Sequence, residues 1–227
     1  MNTNELSILI ADDHPLFRGA LQQVIRQLYP QSTLHEAANV AELQQQAEQN
    51  RRTDLLLLDL HMPGALGYSA LSWFIGQYPQ TPVIMISANS HPDTVRRALD
   101  HGAAGFLSKS AEISDMADCI EKVMAGERGL HPALDATGRG ASLQSLDTAE
   151  ALASLTPQQF RVASMLVEGL LNKQIAYELD VKEATIKAHM TEIFRKLGVH
   201  SRTQAVLALS SLSVEPPQDL VEPPPAS

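Results

Sequence analysis

The sequence predicts an α/β domain with a doubly wound, five-stranded parallel sheet, followed by a small all-α domain. Within residues 1–128, five short apolar runs alternate with longer stretches of helical periodicity. Residues 129–150 are rich in Gly, Ala, Ser, Thr and Asp, which is typical of a linker. Four helical patterns fill residues 151–213, with no strand-like run between them. We therefore expect two folded domains joined by a linker.

The first domain is predicted to consist of five strand and helix pairs. The expected strands are residues 8–11, 34–37, 55–58, 83–86 and 105–107, and the expected helices are 16–28, 40–49, 68–78, 92–101 and 113–125. Residues 55–58 are four consecutive leucines, a pattern that indicates a central strand buried on both faces. In open sheets of this kind the chemistry lies beyond the carboxyl ends of the strands.

The second domain has clear helix boundaries. Thr156, Pro157 and Gln159 combine an N-cap residue, a proline at the first helical position and a capping-box glutamine. This helix should end near Gly169, and further helices are expected over 172–179, 183–197 and 201–212. Residues 214–227 are acidic and rich in proline, so we expect a disordered tail.

Charge is unevenly distributed along the chain. The formal net charge is -9, yet residues 154–213 contain more basic than acidic side chains. This second domain is therefore the place to look for a contact with a phosphate backbone. The sequence contains neither an apolar run of 18 residues nor a signal peptide, so we expect a cytoplasmic protein with no membrane partner. The single cysteine, Cys119, lies in a helical pattern and is interpreted as a core residue with no chemical role.

Carboxylates follow two strands that should be neighbours. Asp12 and Asp13 end the first predicted strand, and Asp59 ends the third. In a doubly wound sheet of strand order 2-1-3-4-5 these strand ends are adjacent, so the three carboxylates should converge. Their mutual repulsion calls for a hard divalent cation, and Mg²⁺ suits such a site. Ser87 and Lys109 follow the fourth and fifth strands, where they could hold the oxygens of a phosphoryl group transferred to Asp59.

These residues, in this order and spacing, resemble the receiver domain of bacterial two-component response regulators. The resemblance implies that Asp59 accepts a phosphoryl group from a sensor histidine kinase and that Ser87 and Lys109 contact it. It also implies an Mg²⁺ site formed by Asp12, Asp13, Asp59 and the main-chain carbonyl of His61, and a switch formed by Ser87 and Phe106. Many receivers have a cis proline after the lysine, but this chain has Ser110, and we expect a trans Lys109–Ser110 bond.

A rival interpretation is an aspartyl-nucleophile phosphatase, which also places an aspartate after an apolar strand. That chemistry requires a second acid two residues after the nucleophile, and this chain has His61 there. We therefore reject an enzyme of that class. The resemblance implies a protein that catalyses only its own phosphoryl transfer and dephosphorylation.

The third helix of the second domain has two distinct faces. Ile186, Met190, Ile193 and Leu197 form one apolar stripe, and Lys187, Ala188, Thr191 and Arg195 lie opposite it. Together with the preceding helix, this pattern indicates a helix-turn-helix whose small, basic face can enter a DNA groove. Lys173, Arg195, Lys196 and Arg202 are placed to neutralise phosphates.

The motifs Leu155-Thr156-Pro157, Glu168 to Lys173, Ala184 to His189 and Lys196 to Val199 resemble the LuxR-type DNA-binding domain. The resemblance implies base contacts from Lys187, Ala188 and Thr191, and backbone contacts from Lys173, Thr185, Arg195 and Lys196. Gln159 replaces the glutamate that is usual there. His189 is either packed or touches a phosphate, and the last helix is either a dimer surface or plain core.

A receiver, a linker and a LuxR-type domain in this order are the architecture of the NarL/FixJ group. The chain is therefore expected to be a phosphorylation-controlled transcription factor that binds promoter DNA and forms a homodimer when phosphorylated. The alternative is a phosphorylation-controlled protein-interaction module with little sequence-specific DNA binding. Salt-dependent band shifts on random and selected DNA would distinguish the two.

Overall fold

The computed structural model describes residues 6 to 129 and 150 to 210. Most of the predicted linker and the whole predicted acidic tail lie outside these ranges. The first described range forms an α/β domain, and the second begins with a helical turn at residues 150 to 153 and continues as an all-helical domain.

The sheet has five parallel strands in the order β2-β1-β3-β4-β5, as predicted. The strands are β1 (Ser7–Ala11), β2 (Thr33–Ala37), β3 (Leu55–Asp59), β4 (Val83–Ser87) and β5 (Gly105–Ser108). Every residue of β3 and β4 is buried, which explains the continuous apolar runs of the sequence. β3 extends one residue beyond the expected end, so Asp59 is the last residue of the strand.

Helices cover both faces of this sheet. They are α1 (Pro15–Leu28), α2 (Val40–Gln49), α3 (Ser69–Gln77), α4 (Pro92–Asp100) and α5 (Ile113–Met124). α1 and α5 pack on one face, and α2, α3 and α4 pack on the other. Tyr68, which the sequence placed in the third helix, precedes α3 and donates a hydrogen bond to the Thr94 carbonyl.

The helical domain contains α6 (Pro157–Val167), α7 (Asn172–Glu178), α8 (Glu183–Leu197) and α9 (Arg202–Ser210). The predicted capping box is present, because Thr156 and Gln159 exchange side-chain and backbone hydrogen bonds. α8 packs against α6, α7 and α9 and ends at Gly198, whose φ of 66° is in the left-handed region. No helix within the described ranges is long and apolar enough to span a bilayer.

Cys119 lies in the core between α5 and β5. It is buried, and an added Cβ at Gly105 would lie 3.3 Å from its Sγ atom. Burial raises the pKa of the thiol to about 11, so the thiolate is not formed near neutral pH. The interpretation of Cys119 as a core residue is confirmed.

Candidate functional site

The register of the sheet brings the predicted carboxylates together. Ala11 of β1 pairs with Leu58 of β3, so the next residues, Asp12 and Asp59, lie side by side at the carboxyl edge. Asp12 is fully buried and Asp59 is 2% exposed, whereas Asp13 remains partly exposed. Two adjacent buried carboxylates require a nearby positive charge, because burying an unpaired charge costs a large free energy.

Lys109 supplies that charge from the loop after β5. Its Nζ atom lies 2.8 Å from Asp12 Oδ2 and 2.9 Å from Asp59 Oδ2. Ser87 pairs with Ser108 in the β4–β5 register, and the Lys109 amide donates to the Ser87 carbonyl over 2.8 Å. The backbone of β4 and β5 therefore fixes the point from which the ammonium reaches both acids.

The electrostatics of the pair reflect its burial. Burial raises the pKa of the Asp59 carboxyl, Lys109 opposes this change and Asp12 adds to it, so the pKa lies above its usual value. Burial alone would lower the pKa of Lys109, but its hydrogen bonds and ion pairs with Asp12 and Asp59 outweigh this and raise it. A further cation near Asp59 would favour its ionised, nucleophilic form.

His14 belongs to this cluster, although the sequence analysis did not assign it. Its Nδ1 atom lies 2.6 Å from Asp13 Oδ1 and 3.1 Å from Lys109 Nζ. Asp12, Asp13, His14 and Asp59 each offer a ligand atom, and these atoms all lie within 4.8 Å of one another. The sequence carried a signal for this role, because His14 directly follows the two aspartates. Asp59 Oδ1 is buried and has no hydrogen-bond partner among the described residues, so the carboxylate set fits a hard cation.

The remaining predicted receiver residues surround this edge. Ser87 is buried, and its Oγ atom accepts a 3.1 Å hydrogen bond from the Asn89 amide. Phe106, at the predicted switch position, is 2% exposed and packs in the core on the α2–α4 side of the sheet. His61 lies in the exposed turn two residues after Asp59. The Lys109–Ser110 bond is trans, as predicted.

The predicted DNA-contacting residues separate into two groups. One group is exposed and consists of Lys173, Thr185, Lys187, Ala188, Thr191 and Arg195. Lys187 pairs with Glu183 over 3.0 Å and Arg195 with Glu192 over 2.9 Å, both within α8. The opposite stripe of α8 is buried at Ile186, Met190 and Ile193 as expected, with Leu197 partly buried. The helix therefore presents Lys187 and Arg195 outward, with both cations paired to glutamates of the same helix.

Lys196 and Arg202 form the second group, and both are held by the domain itself. Lys196 Nζ donates to the Ser154 carbonyl over 2.6 Å and to Gln159 Oε1 over 2.8 Å. Arg202 donates to the Leu170 carbonyl over 2.7 Å, beyond the end of α6. A phosphate contact from either residue would have to add to these bonds or replace them. The sequence could not show this, because the partners are at least 32 residues away.

Comparisons with known proteins agree with this arrangement. Residues 8–121 match the response regulator receiver domain family, and residues 153–209 match the luxR family of bacterial regulatory proteins. The chain is 40% identical to the glycerol metabolism activator of Pseudomonas putida over 210 residues, which cover 90% of this chain and 95% of that protein. It is 32% identical to the nitrate/nitrite response regulator NarL of Escherichia coli K12 over 208 residues, 91% of this chain and 95% of the relative.

A solved structure of the RcsB response regulator of Salmonella typhimurium has the same fold. It superposes with a TM-score of 0.53 at 20% identity and covers 92% of this chain and 100% of that one. The acidic edge, the two family matches and the full-length relatives lead to one conclusion. The chain belongs to the two-component response regulators of the NarL/FixJ group, in which a receiver domain is joined to a LuxR-type DNA-binding domain.

Proposed function

We propose that this protein accepts a phosphoryl group on Asp59 from a sensor histidine kinase and then regulates transcription through its helix-turn-helix domain. The observation that carries the proposal is the bridge at the carboxyl edge of the sheet, where Lys109 Nζ contacts both Asp12 and Asp59. This arrangement places one nucleophilic carboxylate beside a fixed positive charge. Such positioning and charge stabilisation account for most of the catalysis of phosphoryl transfer.

Mg²⁺ is proposed as the cofactor. Asp12, Asp13 and Asp59 would hold it together with the main-chain carbonyl of His61, and His14 lies close enough to orient Asp13. When bound, the ion offsets the negative charge that a phosphoryl group brings to this acidic edge. The unpartnered Asp59 Oδ1 atom supports the assignment.

The chain's own groups carry the transfer. A carboxylate oxygen of Asp59 attacks the phosphorus, a new O–P bond forms, and the P–N bond to the kinase histidine breaks as the departing imidazole nitrogen takes up a proton from water. Lys109 and the hydroxyl group of Ser87 donate to the phosphoryl oxygens. We also propose that the same site supports slow hydrolysis of the aspartyl phosphate, so the protein catalyses only its own phosphorylation and dephosphorylation.

The switch is proposed to start at Ser87. Its hydroxyl group now accepts from the Asn89 amide, and donation to a phosphoryl oxygen would change the β4–α4 loop around it. Phe106, buried next to β4, would follow this change and reshape the surface around α4 and β5. A homodimer formed through the reshaped surface would bring two helix-turn-helix domains to one DNA site.

DNA recognition is proposed for the exposed face of α8. Lys187, Ala188 and Thr191 would meet base edges, where small residues permit close approach and Lys187 can bond to guanine. The proposed phosphate contacts are Lys173, Thr185, Arg195, Lys196 and Arg202. The solved RcsB structure concerns the DNA interaction of that regulator, which supports a promoter DNA partner for this chain as well.

Intact-mass analysis after incubation with acetyl phosphate and Mg²⁺ tests the phosphorylation claim. The wild-type chain should gain one phosphate, and Asp59→Asn should gain none. Asp54→Asn is the matched control, because Asp54 lies at the opposite end of β3 and accepts a hydrogen bond from the Ser7 amide. Uptake by Asp59→Asn equal to that of the wild type would refute Asp59 as the acceptor.

A further inference from the structure

The receiver domain and the helix-turn-helix domain share one apolar cluster. Trp73 of α3 is fully buried, and its ring centroid lies 5.6 Å from that of Phe160 in α6. Leu152 and Leu155, which precede α6, are buried in the same cluster. Trp73 is the only tryptophan of the chain, so its fluorescence is sensitive to this contact as well as to its neighbours Phe74 and Tyr78.

Gly76 lies close to the backbone of the helix-turn-helix domain. A Cβ atom added there would lie 2.5 Å from the Cα atom of Ala153 and closer still to the Ala153 carbonyl oxygen. All three nearest atoms belong to Ala153, so a side chain at position 76 would collide first with the helix-turn-helix domain. Gly76 otherwise weakens α3, since glycine is the poorest helix former after proline. The absence of a side chain at this position is therefore what permits the two domains to touch.

Two glutamines, the buried Gln44 and the exposed Gln77, complete the contact. Gln77 Nε2 donates to the carbonyls of Ala153 and Leu155 over 3.1 and 3.3 Å. Gln44 Nε2, from α2, donates to the Pro157 carbonyl over 3.2 Å. All three acceptors are main-chain oxygens within residues 150–160. We call these residues the leading segment. The receiver side, formed by Gln44, Trp73, Gly76 and Gln77, is called the docking face.

The DNA-reading residues of α8 are left exposed by this contact. With the two domains together, Lys187 and Arg195 have side chains 65% and 66% exposed, and Ala188 and Thr191 are also exposed. The docking face holds the leading segment and α6, whereas the DNA-reading residues belong to α8.

We propose that the docking face holds the helix-turn-helix domain by its leading segment while the DNA-reading face stays uncovered, so that one chain can dock and bind DNA simultaneously. Phosphorylation then has no recognition helix to release from the receiver. It strengthens DNA binding by pairing two docked chains. This inference rests on the proposed function for its DNA part, whereas the docking contact stands on the contacts of Trp73, Gly76, Gln44 and Gln77 alone.

Trp73 fluorescence of the full-length, unphosphorylated chain tests the docking contact. Gly76→Ala should shift the emission to longer wavelength and raise the acrylamide quenching constant at least twofold, because the added methyl group pushes Ala153 away from α3. Gly19→Ala is the matched control, since a Cβ at this exposed α1 position meets no atom within 4 Å. Phe160→Leu removes the ring that contacts Trp73 and should produce the same shift. Unchanged emission and quenching in both Gly76→Ala and Phe160→Leu would show that the docking contact is absent.

Simultaneous docking and DNA binding is tested with a DNA fragment selected from a random pool by the wild-type chain. Saturating wild-type protein with this fragment should leave Trp73 emission unchanged, and Gly76→Ala should bind the fragment no more than threefold tighter than wild type. A DNA-induced shift to longer wavelength, or a larger gain in affinity for Gly76→Ala, would overturn simultaneous docking and DNA binding. Failure of wild type to select any sequence would instead refute the proposed function, and the fluorescence of the Gly76 and Phe160 variants would still decide the docking contact.

Discussion

In the receiver domain, Asp12 and Asp59 are buried and both contact Lys109, whereas in the helix-turn-helix domain the side chains of Lys187 and Arg195 are about two-thirds exposed, at 65% and 66%. The receiver must surround a small phosphoryl group with fixed charges, so its functional groups also contribute to the fold. The DNA-binding face meets a large external partner, so its groups can be exposed and replaceable. Substitutions at Lys109 should therefore change stability, and substitutions at Lys187 or Arg195 should change only affinity.

The largest expected effect is on the buried ion pairs. Lys109→Met leaves two adjacent carboxylates without their cation and should lower the free energy of unfolding by about 3 kcal/mol. Mg²⁺ should restore part of this loss by binding the same carboxylates. Urea unfolding with and without Mg²⁺ measures both effects.

Lys122→Met is the control for that comparison. Lys122 contacts Asp118 over 2.6 Å on the surface of α5, where solvent screens the pair. We expect little change in stability and no special response to Mg²⁺. Equal losses for the two lysine variants would contradict the view that the receiver site is part of the folded core.

His101 offers a second test of burial, through pH. Burial, with Arg97 adding to it, lowers the pKa of His101 from 6.5 to about 4, and its ring stacks on Tyr68 at 5.0 Å. The unfolded chain therefore binds this proton more readily, so the associated stability is complete above pH 6.5 and is lost as the pH falls toward 4. The loss amounts to about 3 kcal/mol.

His101→Phe retains an aromatic ring beside Tyr68 without a titrating group. Its unfolding free energy should fall less steeply than that of wild type between pH 6.5 and 4, as measured by denaturant unfolding at several pH values. His200→Phe, at an exposed position of the helical domain, should follow the wild-type curve. Identical pH profiles for wild type and His101→Phe would rule out this role for the buried histidine.

On the DNA-binding face the expected change is in affinity alone. Lys187→Ala should reduce discrimination between the selected and random sequences by about 1 to 3 kcal/mol, the usual range for one base contact. Its unfolding free energy should stay near the wild-type value, because the side chain is 65% exposed and its ion pair with Glu183 lies on the surface of α8. Competition binding measures the preference, and Lys122→Ala serves as control. An unchanged preference would mean that Lys187 does not read bases.

The smallest predicted effect concerns Gln159, the buried capping residue of α6. Gln159→Glu would place a negative charge near the amino end of α6 and beside Lys196, which already donates to Gln159 Oε1. We expect a gain of about 0.5 to 1 kcal/mol, measured by thermal unfolding. Gln158→Glu in the same helical turn controls for the helix dipole alone, and an equal gain there would exclude a role for Lys196.

Local patterns were sufficient to predict much of the molecule. The apolar runs identify all five strands because parallel strands are buried on both faces, and the acidic edge follows from the residues at their ends. The predicted and observed bounds of α8 agree at both ends. Its carboxyl end was predictable because Gly198 adopts the left-handed conformation that stops a helix.

Features that depend on contacts between distant residues could not be predicted. The bonds of Lys196 and Arg202 to carbonyls of their own domain arise only when α6, α8 and α9 pack together. In the sequence Gly76 is only a residue that weakens a helix, and its contact with Ala153 of the leading segment is visible only in the folded structure. Trp73 likewise reads as a core residue of α3, and nothing in its neighbourhood along the chain indicates Phe160 as its partner.

The coupling between the two domains is tested most directly by DNA binding with and without phosphorylation. The dissociation constant for the selected DNA would be measured by fluorescence anisotropy in Mg²⁺, with and without acetyl phosphate, for wild type and Asp59→Asn. The account predicts about tenfold tighter binding by phosphorylated wild type, within the usual range of allosteric coupling, and no response in Asp59→Asn. Equal affinities of phosphorylated and unphosphorylated wild type, or an equal gain in Asp59→Asn, would contradict it.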